Sequence, residues 1–428
     1  MTPARDTPTT GAATPAAGAV PSVDVTEDTA SDAPSPALDD AGPTAVDLLP
    51  ATDQPRLVGL DAFRGAVLAL MLLTPVTGEG GSYPLLAHAE WEGFTVSDAI
   101  LPAFLVTSGA SLALLLRPPV TAATRLRLVR RLLALLILGW LYNAIGGPLD
   151  VTQVRVTGVL QIIGLSGALA AVVVLAVRRV SASLIPIAVV AVGLPLAYGI
   201  SLAGMAGPCP GGLRRCNPWH AVDIHVLGAD RVYGRGTLGH DPEGLAVVVT
   251  ATGLVLLGVL AMEWVKARGV GWRPLLVLGV AGAVLIAAGL ALDGVQPISK
   301  RLHTPAFTFL AGGIGVLGLS LATALWDAGG HAASGRMAYL GRELLAHPLV
   351  TLGRNALVVY LAERLLLVIS TTTTLATSRG EQTLQQVLVD DLLPVAGVRV
   401  HLAHTALLLA AVLAITYVMR ALRWRIAL

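Results

Sequence analysis

From residue 57 to the C-terminus, apolar stretches of about twenty residues recur, parted by short polar loops, and this repetition constrains the fold more than any single motif. A helix of ~20 apolar residues crosses a ~30 Å hydrocarbon core and pairs its own backbone groups on the way. A soluble domain carries roughly a quarter charged residues, whereas 13% of these 428 residues are charged, 54% are apolar and the mean hydropathy is +0.73. The expected fold class is all-α, a polytopic transmembrane helix bundle. Hydropathy and loop punctuation place about ten spans, at 57–76, 96–116, 132–145, 159–177, 183–203, 245–265, 275–292, 307–325, 349–370 and 402–422. The third is short and the first holds charges; ten is preferred over nine because it makes the basic loops alternate sides.

The chain divides into a tail, 1–55, and a membrane domain, 56–428. The tail holds nine acids and one base, a charge of −8, which leaves +10 for the rest given the net charge of +2. It has no aromatic residue and no apolar run, so it is expected to be disordered. It lacks the basic and apolar regions of a secretory signal, which leaves targeting to the first span. Arginines follow spans two, four, six, eight and ten, so the positive-inside rule puts both termini in the cytoplasm of a multi-pass plasma-membrane protein. The loop 204–244 then faces outward and carries both cysteines, Cys209 and Cys216, which predicts a disulfide. Two cysteines with His220 and His225 make a weaker case for zinc, and no metal is expected.

Several residues could carry chemistry. Asp61 and Arg64, at i and i+3, share a helix face, either as a structural clasp or as the lining of a polar cavity. His88 precedes Trp91 and Asp98 in a short external loop, where an imidazole can remove a proton from an amine or hydroxyl; a helix-end anchor is the plainer reading, and Trp91 suits it. Asp241 and Glu243 open the sixth span, a placement that the helix dipole alone would favour. Arg354, Glu363 and Arg364 charge an otherwise apolar ninth span, as expected of a buried polar site in an enzyme or a transporter. Phosphate-binding glycine loops are absent, and no nucleic-acid partner is expected.

Eight segments in order resemble the heparan-α-glucosaminide N-acetyltransferase family of the transmembrane acyltransferases: RLVGLDAFRG (56–65), HAEWEGFTVSD (88–98), RVTGVLQ (155–161), CPGGLRRCN (209–217), VDIHVLGADRVY (222–233), DPEG (241–244), PISKRLHT (297–304) and NALVVY (355–360). The resemblance implies acetyl transfer from cytoplasmic acetyl-CoA to an amino or hydroxyl group of a sugar-like acceptor on the outer side, with His88 as the active histidine. Asp98 would orient that imidazole. Asp61, Arg64, Trp91, Asp241, Glu243 and Asn355 would form the acceptor cavity, and the arginines after span two, above all Arg125, Arg130 and Arg131, would attract the CoA phosphates. Relatives of this kind suggest a homodimer. The chain departs from the family at Glu92, Ile162 and Glu363, where Asn, Arg and His are common, and this leaves the acceptor open. A transporter or exporter of a polar substrate is the rival reading.

Overall fold

The computed structural model describes residues 57–74, 86–145, 152–205, 212–215, 217–328, 346–388 and 400–422. The acidic tail, Cys209 and Cys216 lie outside the described residues, and with them the expected disorder and disulfide. In chain order come α1 (Val58–Leu73), a 3₁₀ turn (Val96–Ala99), α2 (Ile100–Leu115), α3 (Ala122–Ala144), α4 (Val159–Val180) and α5 (Ile185–Met205). The short helix α6 (Pro218–Leu227) precedes α7 (Val247–Arg268), α8 (Trp272–Leu292) and α9 (Pro305–Thr323). The helix 346–354, here α10, is followed by α11 (Ala356–Thr372), strands β1 (Thr374–Thr377) and β2 (Gly380–Thr383), and α12 (Val400–Ala421).

A helix stands at each of the ten apolar stretches, and among the described residues six are long and apolar enough to cross a membrane: Val96–Leu115, Val159–Val180, Ile185–Met205, Val247–Arg268, Trp272–Leu292 and Pro305–Ala328. The chain is a multi-pass membrane protein.

Three local readings are corrected. The third helix begins at 122 rather than 132, because Arg125, Arg127, Arg130 and Arg131 depress hydropathy while remaining good helix formers, and Thr121 caps the new start by accepting from the Thr124 amide at 3.2 Å. The ninth stretch is two helices broken at Asn355, whose φ of −110° and ψ of 28° leave the helical region. The all-α expectation misses a β-hairpin at 374–383, where a run of β-branched threonines meets Gly380 in the left-handed region at φ 104°.

The core lies where α2, α7 and α9 meet. Gly109 of α2 abuts the Val255 carbonyl and Gly258 of α7 abuts the Val106 carbonyl, so neither position has room for a Cβ. Close approach at small residues is how helices associate in lipid, where hydrophobicity no longer drives them together. By contrast, α8 turns Leu276, Val277, Val280 and Val284 outward, as a lipid-facing helix does.

The helices also sort their ends. Arg178 of α4 and Lys266 of α7 both donate to Glu263, at 2.8 and 2.7 Å, and Lys266 reaches the Ala113 carbonyl of α2, so these C-terminal ends meet at one basic end. Asp327, just past α9, caps α1 there by accepting from the Val58 and Gly59 amides at 2.8 Å each. The segments that open α2, α4, α7 and α9 gather at the opposite end, where the candidate site lies.

Candidate active site

Asp98 sits in the first turn before α2 with its side chain 0% exposed. One carboxylate oxygen accepts from the Thr95 amide and hydroxyl, each at 3.0 Å, and from the Ala89 amide at 3.2 Å, which closes a capping box and ties the preceding loop to the helix. The other oxygen lies 2.8 Å from His88 Nδ1. A carboxylate can only accept from this nitrogen, so Nδ1 carries the proton and Nε2 is left as the basic atom. The His88 side chain is 49% exposed, which puts that atom within reach of a substrate at the bundle end.

A third group joins them. Lys300 Nζ stands 3.0 Å from His88 Nδ1, 3.2 Å from Nε2 and 3.6 Å from Asp98 Oδ1. It comes from the loop before α9, where the Asp293 carboxylate accepts from the Ile298 amide and the Thr304 hydroxyl donates to the Pro297 carbonyl. Gly93, in the left-handed region at φ 102°, donates its amide to Ile298, and Arg301 donates to the Glu90 carbonyl, so the two loops are joined on either side of Lys300. Burial pushes the ammonium below the ordinary lysine range, against the pull of Asp98 and Glu243. Close by, His303 is fully buried in the left-handed region at φ 49°, with neither ring nitrogen partnered; burial, then Lys300, pushes it down to about 3. The sequence reading missed Lys300 as a functional residue, although it lies in the quoted segment 297–304.

Asp241 and Glu243 are drawn into a different arrangement. Arg155 donates to both, at 2.6 Å each, while Asp241 also accepts from Thr157 Oγ1 at 2.6 Å, the Tyr233 amide at 2.9 Å and the Glu243 amide at 3.0 Å. This carboxylate is committed to joining the segments before α4 and α7. Trp91 packs edge-on against His240 with centroids 5.1 Å apart, and the Arg214 guanidinium lies 5.7 Å from its ring centre, so it stands beside the His88 group.

A cavity of about 240 Å³ runs along α2 beside Phe104, Thr107, Ser108 and Ser111, with Arg64, Arg131 and Arg354 on its wall and no acidic side chain among its lining residues. Arg64 donates to Ser111 at 2.6 Å and Arg131 to Ser108 at 3.1 Å. Asp61 lies 3.5 Å from Arg64 and 3.1 Å from Arg354, so it clasps two of the wall arginines without itself lining the cavity. At 1.5 Å of rise per residue, Phe104 stands about 9 Å and Ser111 about 20 Å from Asp98 along the helix axis. Of the three arginines expected to meet CoA, only Arg131 turns inward; Arg125 and Arg130 are exposed on the other face of α3. Asn355 is buried but donates to the Thr351 carbonyl and serves the turn between α10 and α11. Among the described residues, no group of three or more metal-ligating side chains converges.

Residues 56–223 match the family model described as "Heparan-alpha-glucosaminide N-acetyltransferase, catalytic". The chain resembles that family over these residues. Two curated relatives carry the same name: the human protein, 27% identical over 59% of this chain, and the mouse protein, 33% identical over 29% of it. The matches span 46% of the human protein and 21% of the mouse protein, so this chain aligns with about half of the one and a fifth of the other. The family match takes in α1 through α5 and the first part of α6, and therefore His88, Asp98, Arg64 and Arg131; Lys300, Asp241 and Arg354 lie beyond it.

Proposed function

We propose that this protein is a membrane acyltransferase that moves an acetyl or short acyl group from acyl-CoA to an amino or hydroxyl group of a sugar-like acceptor. One observation carries the reading: an oriented, accessible imidazole stands at one end of the bundle, and an arginine-walled cavity free of acids runs along α2 toward the other. Three lining cations, two of them sharing the single carboxylate of Asp61, leave a net positive wall that suits a polyanion, and a cavity of this size takes a slender arm such as pantetheine while the nucleotide stays at the basic end. Ten spans with both termini in the cytoplasm would set the donor inside and His88 outside, at the plasma membrane. His88 Nε2 would then take the proton as the acceptor attacks the thioester carbonyl carbon, and return it to the departing thiolate.

The test is direct. Purified protein in detergent, given acetyl-CoA and a panel of amino sugars, should yield acceptor heavier by one acetyl group. Arg131→Met should raise the KM for the thioester at least ~10-fold, the order expected for one charge-assisted hydrogen bond, and leave the acceptor KM near its original value. Transport of an unmodified substrate by an inactive transferase would instead establish the transporter reading.

A further inference from the structure

Resting on that acyl-transfer reading, we propose that Lys300 is a second catalytic residue, which leaves the His88 ring when substrate binds and donates to the thioester oxygen as the acceptor attacks. The geometry sets up a conflict that only movement resolves. An ammonium nearly equidistant from the two ring nitrogens, at 3.0 and 3.2 Å, sits against the ring rather than along the in-plane Nε2 lone pair, and there it repels the imidazolium that forms once the proton is taken. Asp98 attracts the ammonium but holds it loosely: its nearer oxygen is 3.6 Å away and already accepts from His88, and its other oxygen accepts from Thr95 and Ala89. Lys300 also differs from its surroundings in chemical type, because it is one of two lysines in a chain holding 29 basic residues. An ammonium on a flexible stem can swing by a few ångströms, which a guanidinium fixed in a fork does less readily.

The step balances. The acceptor nitrogen or oxygen bonds to the thioester carbon, its proton passes to His88 Nε2, and the carbonyl π pair moves onto oxygen, where a Lys300 N–H meets it. When the carbonyl reforms, the C–S bond breaks and the thiolate takes the proton from His88. Two bonds form and two break, with no oxidant and no further reactant. The groups facing Lys300 are His88, Asp98, Glu243, Arg301 and the neutral His303. Among these, a lysine held below its ordinary range by burial is the one whose loss of a proton would produce an alkaline limb earlier than an ordinary lysine would.

Wild type, Lys300→Met and Lys300→Arg are compared for transfer from acetyl-CoA across pH. Lys300→Met should lose at least ~100-fold in kcat, the cost of one oxyanion donor, with the acceptor KM within a few-fold of wild type. Wild-type activity should fall as pH rises through the lowered lysine value. Lys300→Arg, which stays charged, should keep measurable activity and lose that alkaline limb. Activity of Lys300→Met within a few-fold of wild type overturns the assignment, as does an alkaline limb that persists unchanged in Lys300→Arg. The second comparison still decides if the Met variant does not fold. Absence of transfer by the wild type itself would instead overturn the acyltransferase reading.

Discussion

His88→Ala should leave the protein folded and membrane-inserted while transfer falls by at least ~10²-fold, the size of a lost general base. The two effects separate because of where the residue sits. Its side chain is half exposed and outside the helices, and its carboxylate partner Asp98 is already held by three other donors. His88→Asn should be about as inactive, since it keeps hydrogen bonding without a titratable nitrogen. Asp98→Asn is a poorer probe of orientation. It replaces one accepting oxygen by a donating NH2, which faces either the His88 ring or the donors that also cap α2, so it should lower both activity and thermal stability. Measuring product formation beside the detergent-solubilised melting temperature distinguishes the cases; His88→Ala with activity within a few-fold of wild type removes that residue from the mechanism.

The second large effect concerns structure. Arg155→Met strands the buried Asp241 carboxylate beside Glu243 and should destabilise the His88 end of the bundle by about 3 kcal/mol, the lower end of what a broken buried pair costs. Arg155 is 25% exposed and Asp241 0%, so the cost falls on the carboxylate, which stays buried without its cation. Asp241→Asn in the same chain should recover much of that stability. Fluorescence-detected size exclusion after heating reads this out: the single variant should lose its monodisperse peak at lower temperature than either wild type or the double variant. Equal stability of all three would mean that the Arg155 cluster does not hold α4 and α7 together.

The His88–Asp98 pair was legible in the sequence because its members are ten residues apart in one loop, and a helix start beside an acidic residue implies their proximity. Lys300 is 212 residues from His88 and Arg155 is 86 from Asp241, separations that no local periodicity bridges. Helix phase explains the arginines: their number and their place after span two were readable, but which one turned inward depended on how α3 packs on α2 and α4. Asp241 was readable as an acidic residue at a helix start, and the fold commits it to Arg155 and Thr157. The helix positions came through because burial in lipid demands length and apolarity of each span; the Arg-rich start of α3 did not, because a hydropathy window penalises charges that the helix itself tolerates.

On the proposed mechanism a thioester presented from the basic end meets an acceptor held at the His88 end. Sealed vesicles with uniformly oriented protein test it most directly, using acetyl-CoA on one side, an acceptor too polar to cross on the other, and mass detection of the product. Acetylated acceptor should appear only when acetyl-CoA faces the basic end and the acceptor faces His88, and should be absent with His88→Ala. Product formed equally well with both substrates confined to the His88 side would contradict the account.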